Sequence, residues 1–294
     1  RCAYALAMLD SLRHFLLVVE HGTFTEASRR AHLTQPSLSA SIKRLEEGLG
    51  CRVLDRGPAG ARPNAAGHAL IPHARHALAA VDDGRRAVAE VAGLARGVVR
   101  LGVGPTAATY LLPATFAAFR AEAPGIRFFL KEAHSPAVWD ALQRGELDLG
   151  LVSDTTVPLR HTWFEAEPCI DDELIVVRGA APVDSLAFVS FPQGSSLRGL
   201  LDQHFPEADV VMELASIAAV KGNVRAGIGR CLISRAAVIR DLEEGTLVRV
   251  EDPRTPISRT LTLIHRGAHR LPPAAVRLRE LLLTLRSPKV QPVG

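Results

Sequence analysis

Lysine is scarce in this chain. Of 35 basic residues only Lys43, Lys131, Lys221 and Lys289 are lysines. Arginine dominance suits bidentate contacts to phosphate, although GC-rich codon usage produces the same bias. The net charge of +4 and a pI near 9.1 permit a nucleic-acid partner without requiring one. No C-x-x-C pair occurs among Cys2, Cys51, Cys169 and Cys231, which argues against a zinc ribbon and a thioredoxin-like motif. Buried, reduced thiols are the ordinary reading of such cysteines. Cys169 and Cys231 would form a redox-sensing pair only if the fold brought them together. No apolar run approaches the ~20 residues that span a bilayer. Asp10 and Arg13 interrupt the short apolar stretch near the N-terminus, against a signal peptide, so a cytoplasmic location without membrane contact is expected. Met8 is the expected natural start, with residues 1–7 upstream of it. What is present is 294 residues at 47% hydrophobic content, enough for about two domains with real cores.

Three helical patterns open the chain. Leu12, Phe15, Leu16 and Val19 recur at helical spacing up to His21-Gly22. Thr25 is expected to cap a short second helix, Glu26 to Ala31, and His32-Leu33 to make the turn. Thr34 caps a third helix, with Pro36 tolerated in its first turn because an N–H there lacks an intrahelical partner. On that helix Leu38, Ile42, Leu45 and Leu49 form one buried stripe. The opposite side carries Gln35, Ser39 and Lys43, flanked by Pro36, Ser37, Ala40 and Arg44. It is small near its start and basic further along. A helix entering a major groove needs this gradient, short polar groups at base edges and cations beside phosphates. A merely solvated face would carry acids in its first turn, where the helix dipole favours them; here Glu46 and Glu47 sit at the far end.

Two short extended runs, Arg52–Asp55 and Ala61–Pro63, flank Gly57-Pro58-Ala59-Gly60. They read as a β-wing carrying Arg56 and Arg62. The stretch LRHFLLVVEHGTFTEASRRAHLTQPSLSASIKRLEEGLGCRVLDR, followed by NAAG, resembles the DNA-binding domain of the LysR-type transcriptional regulators nearly without gaps over residues 11–67. The resemblance implies that Thr25, Gln35, Pro36, Ser37, Ser39, Arg44 and Arg56 lie against double-stranded DNA. The family often places Arg and Gln where this chain has Ala40 and Ser41, a departure that shifts the expected readout from long donors toward DNA shape.

The winged helix-turn-helix is expected over 8–64 and a linker helix over 65–95. Leu70, Ala74, Ala77, Val81, Gly84, Val88 and Val91 alternate i+4 and i+3, the seam of a two-stranded coil. Pro72 should kink this helix near its start. His68, His73 and His76 read as solvated surface, and neither a metal nor a cofactor is expected. In the resembling family this helix makes the homodimer. A homotetramer, and contact with RNA polymerase if the protein activates, are likewise implied only by the resemblance.

From residue 96 to 294 strands and helices alternate. VVRLGV (98–103), IRFFLK (126–131) and LDLGLV (147–152) are continuous apolar runs, as buried parallel strands should be. ELIVV, LAFVS, VVMEL, CLIS and RTLTLIH continue the pattern. This resembles the two-lobed α/β effector domain of periplasmic-binding-protein type found in the same family, with lobe I over about 96–168 and 267–294 and lobe II over about 169–266. GVGPTA (102–107) has the outline of a dinucleotide-binding G-x-G-x-x-A, but no acidic residue ends the next strand at the required distance. GSSLRG (194–199) misses the G-x-S-x-G elbow. No enzyme is expected; the alternative is an enzyme or ligand-binding protein whose N-terminal helices are only an interaction module.

Thr106, Ser135 and Gly194-Ser195-Ser196 each open a helix after a strand. Ligands of α/β sheets sit beyond the carboxyl ends of strands, and helix N-termini there favour anions. These residues are therefore expected to bind a small organic effector, a carboxylate by chemistry. They match effector-contacting segments of the resembling family, with Val152 and Ser153 near the lobe crossing. The competing expectation is that the hydroxyls are ordinary helix caps.

Overall fold

A computed structural model describes residues 2–57, 60–91, 97–153, 163–181 and 187–286. Packing divides the chain into two compact units, Arg1–Val88 with Gln143–Glu146, and Ala89–Leu142 with Leu147–Gly294. The first unit consists of α1 (Cys2–His21), α2 (Phe24–Arg30), α3 (Gln35–Leu49), the wing strands β1 (Leu54–Gly57) and β2 (Gly60–Pro63), and most of α4 (Ala65–Val91). Pro58 and Ala59 of the expected turn lie outside the described residues.

Thr23, not Thr25, caps α2: its Oγ1 accepts from the Glu26 N–H at 3.2 Å. The stretch Thr23-Phe-Thr-Glu26 fits the capping-box pattern, a local signal that the reading of Thr25 overlooked. His32 adopts a left-handed φ of 53° in the turn that follows. Thr34 caps α3 by accepting from the Ser37 N–H at 3.3 Å. Leu38, Ile42 and Leu45 are fully buried with Phe15, Val18 and Ala27, whereas Leu49 is 39% exposed. The stripe stops there because α3 ends one residue later, at the left-handed Gly50. The wing packs back on α1: Ala61 N–H donates to the Gly22 carbonyl at 2.7 Å. A Cβ on Gly60 would lie 2.2 Å from that carbonyl oxygen, so the approach requires glycine.

α4 continues through Pro72. Its expected seam divides along its length. Ala74 is buried in the core of the first unit, with Leu70 and Ala77 packed against that core. Ala74 is therefore taken up by the core of its own unit, while Leu70 and Ala77 keep part of their surface outside it. Val81 is half-buried and Val88 is 69% exposed; the side chain of Val91 lies outside the described residues.

The second unit holds one mixed sheet. Its strands are β3 (Val98–Val103), β4 (Arg127–Glu132), β5 (Leu149–Ser153), β6 (Glu165–Gly179), β7 (Phe188–Ser190), β8 (Val210–Glu213), β9 (Arg230–Ser234), β10 (Leu247–Arg249) and β11 (Ile257–His265). The order is β4-β3-β5-β11-β6-β9-β7-β8, with β10 also on β6. Helices α5 (Pro113–Glu122), α6 (Ser135–Gln143), α7 (Ser196–His204), α8 (Ile217–Arg225), α9 (Ile239–Glu243) and α10 (Pro273–Leu283) cover it, and a short π-helical turn, Ala107–Leu111, follows β3. IRFFLK is an edge strand rather than a buried one, with Phe129 54% exposed. An edge position leaves side chains uncovered that a central strand would bury.

Two separate cores identify the lobes. One gathers Val99, Leu101, Phe119, Leu149, Cys169, Ile170, Leu261 and Leu278; the other gathers Leu174, Val176, Phe188, Val220, Cys231, Ile233 and Ile257. The antiparallel strands β6 and β11 serve both. The change of core falls between Ile170 and Leu174 on β6 and between Ile257 and Leu261 on β11. On β11 this is several residues before the expected boundary at 266, because a strand that crosses lobes has no loop to announce the crossing. No described helix is long and apolar enough to cross a membrane.

Candidate nucleic-acid interface and interlobe cavity

The exposed side of α3 carries Gln35, Pro36, Ser37, Ala40, Lys43 and Arg44, with Ser39 half-buried among them. Thr25, Thr34, Arg56 and Arg62 are also exposed. Ser41, by contrast, is buried: its Oγ meets His14 Nδ1 at 2.8 Å and Ser11 Oγ at 3.1 Å. It binds α3 to α1 and is not on the outer face, so Ala40 alone carries the departure from the family pattern. Burial lowers the His14 pKa from its ordinary value, Arg13 and Arg44 add to that effect, and Asp10 opposes it.

Arg56 joins three elements. Its guanidinium lies 4.5 Å from the centre of the Phe24 ring and donates to Ser39 Oγ at 3.2 Å. It also lies 4.0 Å from Glu46. Glu46 in turn accepts from the Val53 and Leu54 N–H groups at 3.0 and 3.4 Å. This acid, expected only to mark the far end of α3, ties the wing to it. Lys43 is 3.6 Å from Glu47. Among the described residues Arg44 and Arg62 have no acidic partner, so both cations are available to phosphate.

In the second unit one cavity of about 50 Å³ is lined by Thr106, Ser135, Ser153, Ser195 and Ser196, with Arg259 and His134 beside them. Leu151, Phe191, Leu197, Ile217 and Leu261 supply apolar wall. Residues from both lobes and from the crossing strands therefore meet. Val152 does not line it; it is buried on the opposite face of β5, packed in a cluster with Trp139 and Ile264. Alternation along a strand puts Leu151 and Ser153 on one face and Val152 on the other. Gly194 is likewise not a lining residue. Its φ of +83° makes the turn before α7.

The hydroxyls differ in their duties. Ser195 is a helix cap, accepting from the Arg198 N–H at 3.2 Å. Ser135 Oγ instead accepts from the Ser153 N–H at 3.2 Å, joining α6 to β5. Thr106 is buried and makes no capping bond. Arg259, which the sequence reading missed, is 8% exposed. Its Nε and Nη2 donate to Asp172 Oδ2 at 2.8 and 2.7 Å, and its Nη1 reaches Ser196 Oγ at 3.5 Å. Only strand pairing of Arg259 with Asp172 makes this visible.

The cysteine pair is not assembled. Cys231 lies opposite Val177 in the β9–β6 register, and Cys169 is eight positions earlier on β6. At ~3.3 Å per residue that is roughly 26 Å, far beyond the ~7 Å limit for a bridge. Burial pushes each thiol up to about 12, which removes the thiolate that oxidation needs.

A helix-turn-helix with a wing and exposed arginines, followed by a two-lobed domain with a polar cavity, defines a DNA-binding regulator with a ligand-binding domain. Comparison with known proteins agrees. The sequence model for the LysR substrate binding domain matches residues 92–286, and that for the bacterial regulatory helix-turn-helix protein, lysR family, matches residues 9–68. The Escherichia coli K12 protein called uncharacterized HTH-type transcriptional regulator YeiE is 30% identical over 275 residues, spanning 87% of this chain and 90% of its own. ArgP from Mycobacterium tuberculosis shares the fold with a TM-score of 0.67 at 18% identity, over 94% of this chain and 96% of that one. Full-length CbnR, solved with its target DNA, gives a TM-score of 0.59 at 20% identity, over 95% and 99%. The chain belongs to the LysR family of transcriptional regulators.

Proposed function

We propose that the protein binds a promoter or operator duplex through α3 and the wing, and that a small organic carboxylate in the interlobe cavity controls this binding. Gln35, Pro36, Ser37 and Ser39 face the groove. Thr25, Thr34, Lys43, Arg44, Arg56 and Arg62 hold the flanking backbone. The protein works in the cytoplasm as a homodimer, joined along α4 beyond the part that its own core uses, and as a tetramer of two such dimers. RNA polymerase is a further partner if it activates.

The observation that carries the effector half is the convergence of Thr106, Ser135, Ser195, Ser196 and Arg259 from both lobes on one cavity. A ligand there touches both lobes and so favours one arrangement of them over another, which is what coupling to a distant site requires. At 100 times its dissociation constant such a ligand stabilises the native protein by about 2.7 kcal/mol. A thermal-shift screen of metabolic carboxylates is expected to give hits that Thr106→Val weakens. Hits that are neutral or cationic, or unaffected by the substitution, would count against the reading.

The DNA half is tested by salt. Affinity should fall linearly in log–log form with salt, and Arg44→Ala should lower the slope by about one phosphate contact while weakening all sequences alike. Ser39→Ala should cost about 1–3 kcal/mol on the specific duplex alone if Ser39 touches a base. Binding of both variants like the parent at low and high salt would remove this face as the reading surface.

A further inference from the structure

The cavity contains an arginine whose charge is already matched. Asp172 takes two N–H groups of Arg259 on Oδ2, and its Oδ1 accepts from Ser234 Oγ at 2.6 Å. Both carboxylate oxygens are thus engaged and the guanidinium plane is fixed. Arginine has five N–H donors in a rigid fork. Two go to Asp172 and one approaches Ser196, itself a cavity residue. That leaves one donor on each of Nη1 and Nη2 for a ligand carboxylate. Among the described residues Arg259 is the only arginine or lysine lining the cavity.

We propose that Arg259 is the specificity-determining residue of this pocket and that it selects compact monocarboxylates bearing one further oxygen, of the glycolate and lactate type, over dicarboxylates. The inference rests on the pocket reading above and adds a ligand class to it. Charge sets the first limit. Asp172 neutralises Arg259, so one ligand carboxylate leaves a single negative charge, which the hydroxyls and the N-terminal end of α7 can solvate. Besides Arg259 only the exposed His134 lines the cavity as a basic group among the described residues, so a second carboxylate would have no permanent cation to meet it, a costly arrangement. The walls set the second limit: Leu151, Phe191, Leu197, Ile217 and Leu261 close the cavity with apolar side chains, which favour a compact ligand with few polar groups. Thr106, buried and free of any capping duty, stands as a partner for the additional oxygen.

The test is calorimetric titration of the full chain with glycolate, lactate, malonate and glycolamide. The parent should bind glycolate or lactate at least tenfold more tightly than malonate or glycolamide. The double variant Arg259→Gln/Asp172→Asn, which keeps the pair neutral and hydrogen-bonded, should retain its melting temperature within a few degrees and lose at least a hundredfold in glycolate and lactate affinity. Asp172→Asn alone frees a positive charge, so malonate should gain at least tenfold relative to glycolate. If that single variant does not fold, the double variant decides. The proposal is overturned if the double variant binds glycolate and lactate like the parent, if malonate or glycolamide binds the parent as well as glycolate does, or if neither monocarboxylate binds the parent. Failure of the wider reading looks different. Binding that Thr106→Val weakens and the double variant leaves unchanged keeps the pocket and removes Arg259 from it. Binding that none of these substitutions alters removes the pocket as well.

Discussion

The two units of this protein differ in how far their polar contacts reach. In the first unit the helix caps and the wing tie run three to seven residues, Thr23 to Glu26, Thr34 to Ser37 and Glu46 to Val53, and the longer ties, Arg56 to Ser39, His14 to Ser41 and Ser11 to Ser41, run 17, 27 and 30. In the second, Arg259 meets Asp172 across 87 residues and Ser234 meets Asp172 across 62. A reading head built locally keeps its geometry when its neighbours are exchanged. A pocket built by strands that serve both lobes changes when the lobes shift. The first arrangement suits a fixed interface and the second a site that responds to what it binds.

Substitutions can break this contrast. The largest effect is expected at the crossing strands. Asp172→Ala leaves a buried guanidinium without its partner and should destabilise the second unit by about 3–5 kcal/mol, read by urea unfolding; a loss below 1 kcal/mol would mean that water replaces the pair. Next comes the buried stripe of α3. Leu45→Ala should cost about 2–5 kcal/mol, whereas Leu49→Ala, on the same helix but exposed, should stay within about 0.5 kcal/mol. Equal losses would place Leu49 in the core. A smaller effect separates two threonines at the start of α2. Thr23→Ala should cost ~1 kcal/mol as a lost cap, and Thr25→Ala clearly less, with the difference appearing in thermal unfolding and Thr25→Ala acting on DNA affinity instead. The smallest effect is none at all. Under native conditions iodoacetamide should label the exposed Cys51 and leave Cys169 and Cys231 unmodified, since both are buried with thiols near 12. Rapid labelling of either would reopen a redox role.

Sequence by itself determined the order of elements in the first unit, the cap at Thr34, the stripe of Leu38, Ile42 and Leu45, and the outward face of Gln35, Lys43 and Arg44. Each of these follows from spacing within a helix or from a neighbour a few residues away. It also located the helix starts at Ser135 and Ser195 and the position of Thr106, because strand-to-helix junctions are marked by local composition. Tertiary structure alone decided what those hydroxyls share. Ser135 is tied to Ser153, Val152 is turned to the other face of β5, and Arg259 is brought into the cavity by pairing with Asp172. The same holds for Cys169 and Cys231, which fall in different cores, and for Ala74, spent on the core of its own unit. Strand pairing joins residues at separations that no period in the sequence encodes, and burial depends on which strands become edges. For that reason the outer face of α3 was legible in the sequence, while the pairing of Arg259 with Asp172 emerged only when β6 and β11 were laid side by side.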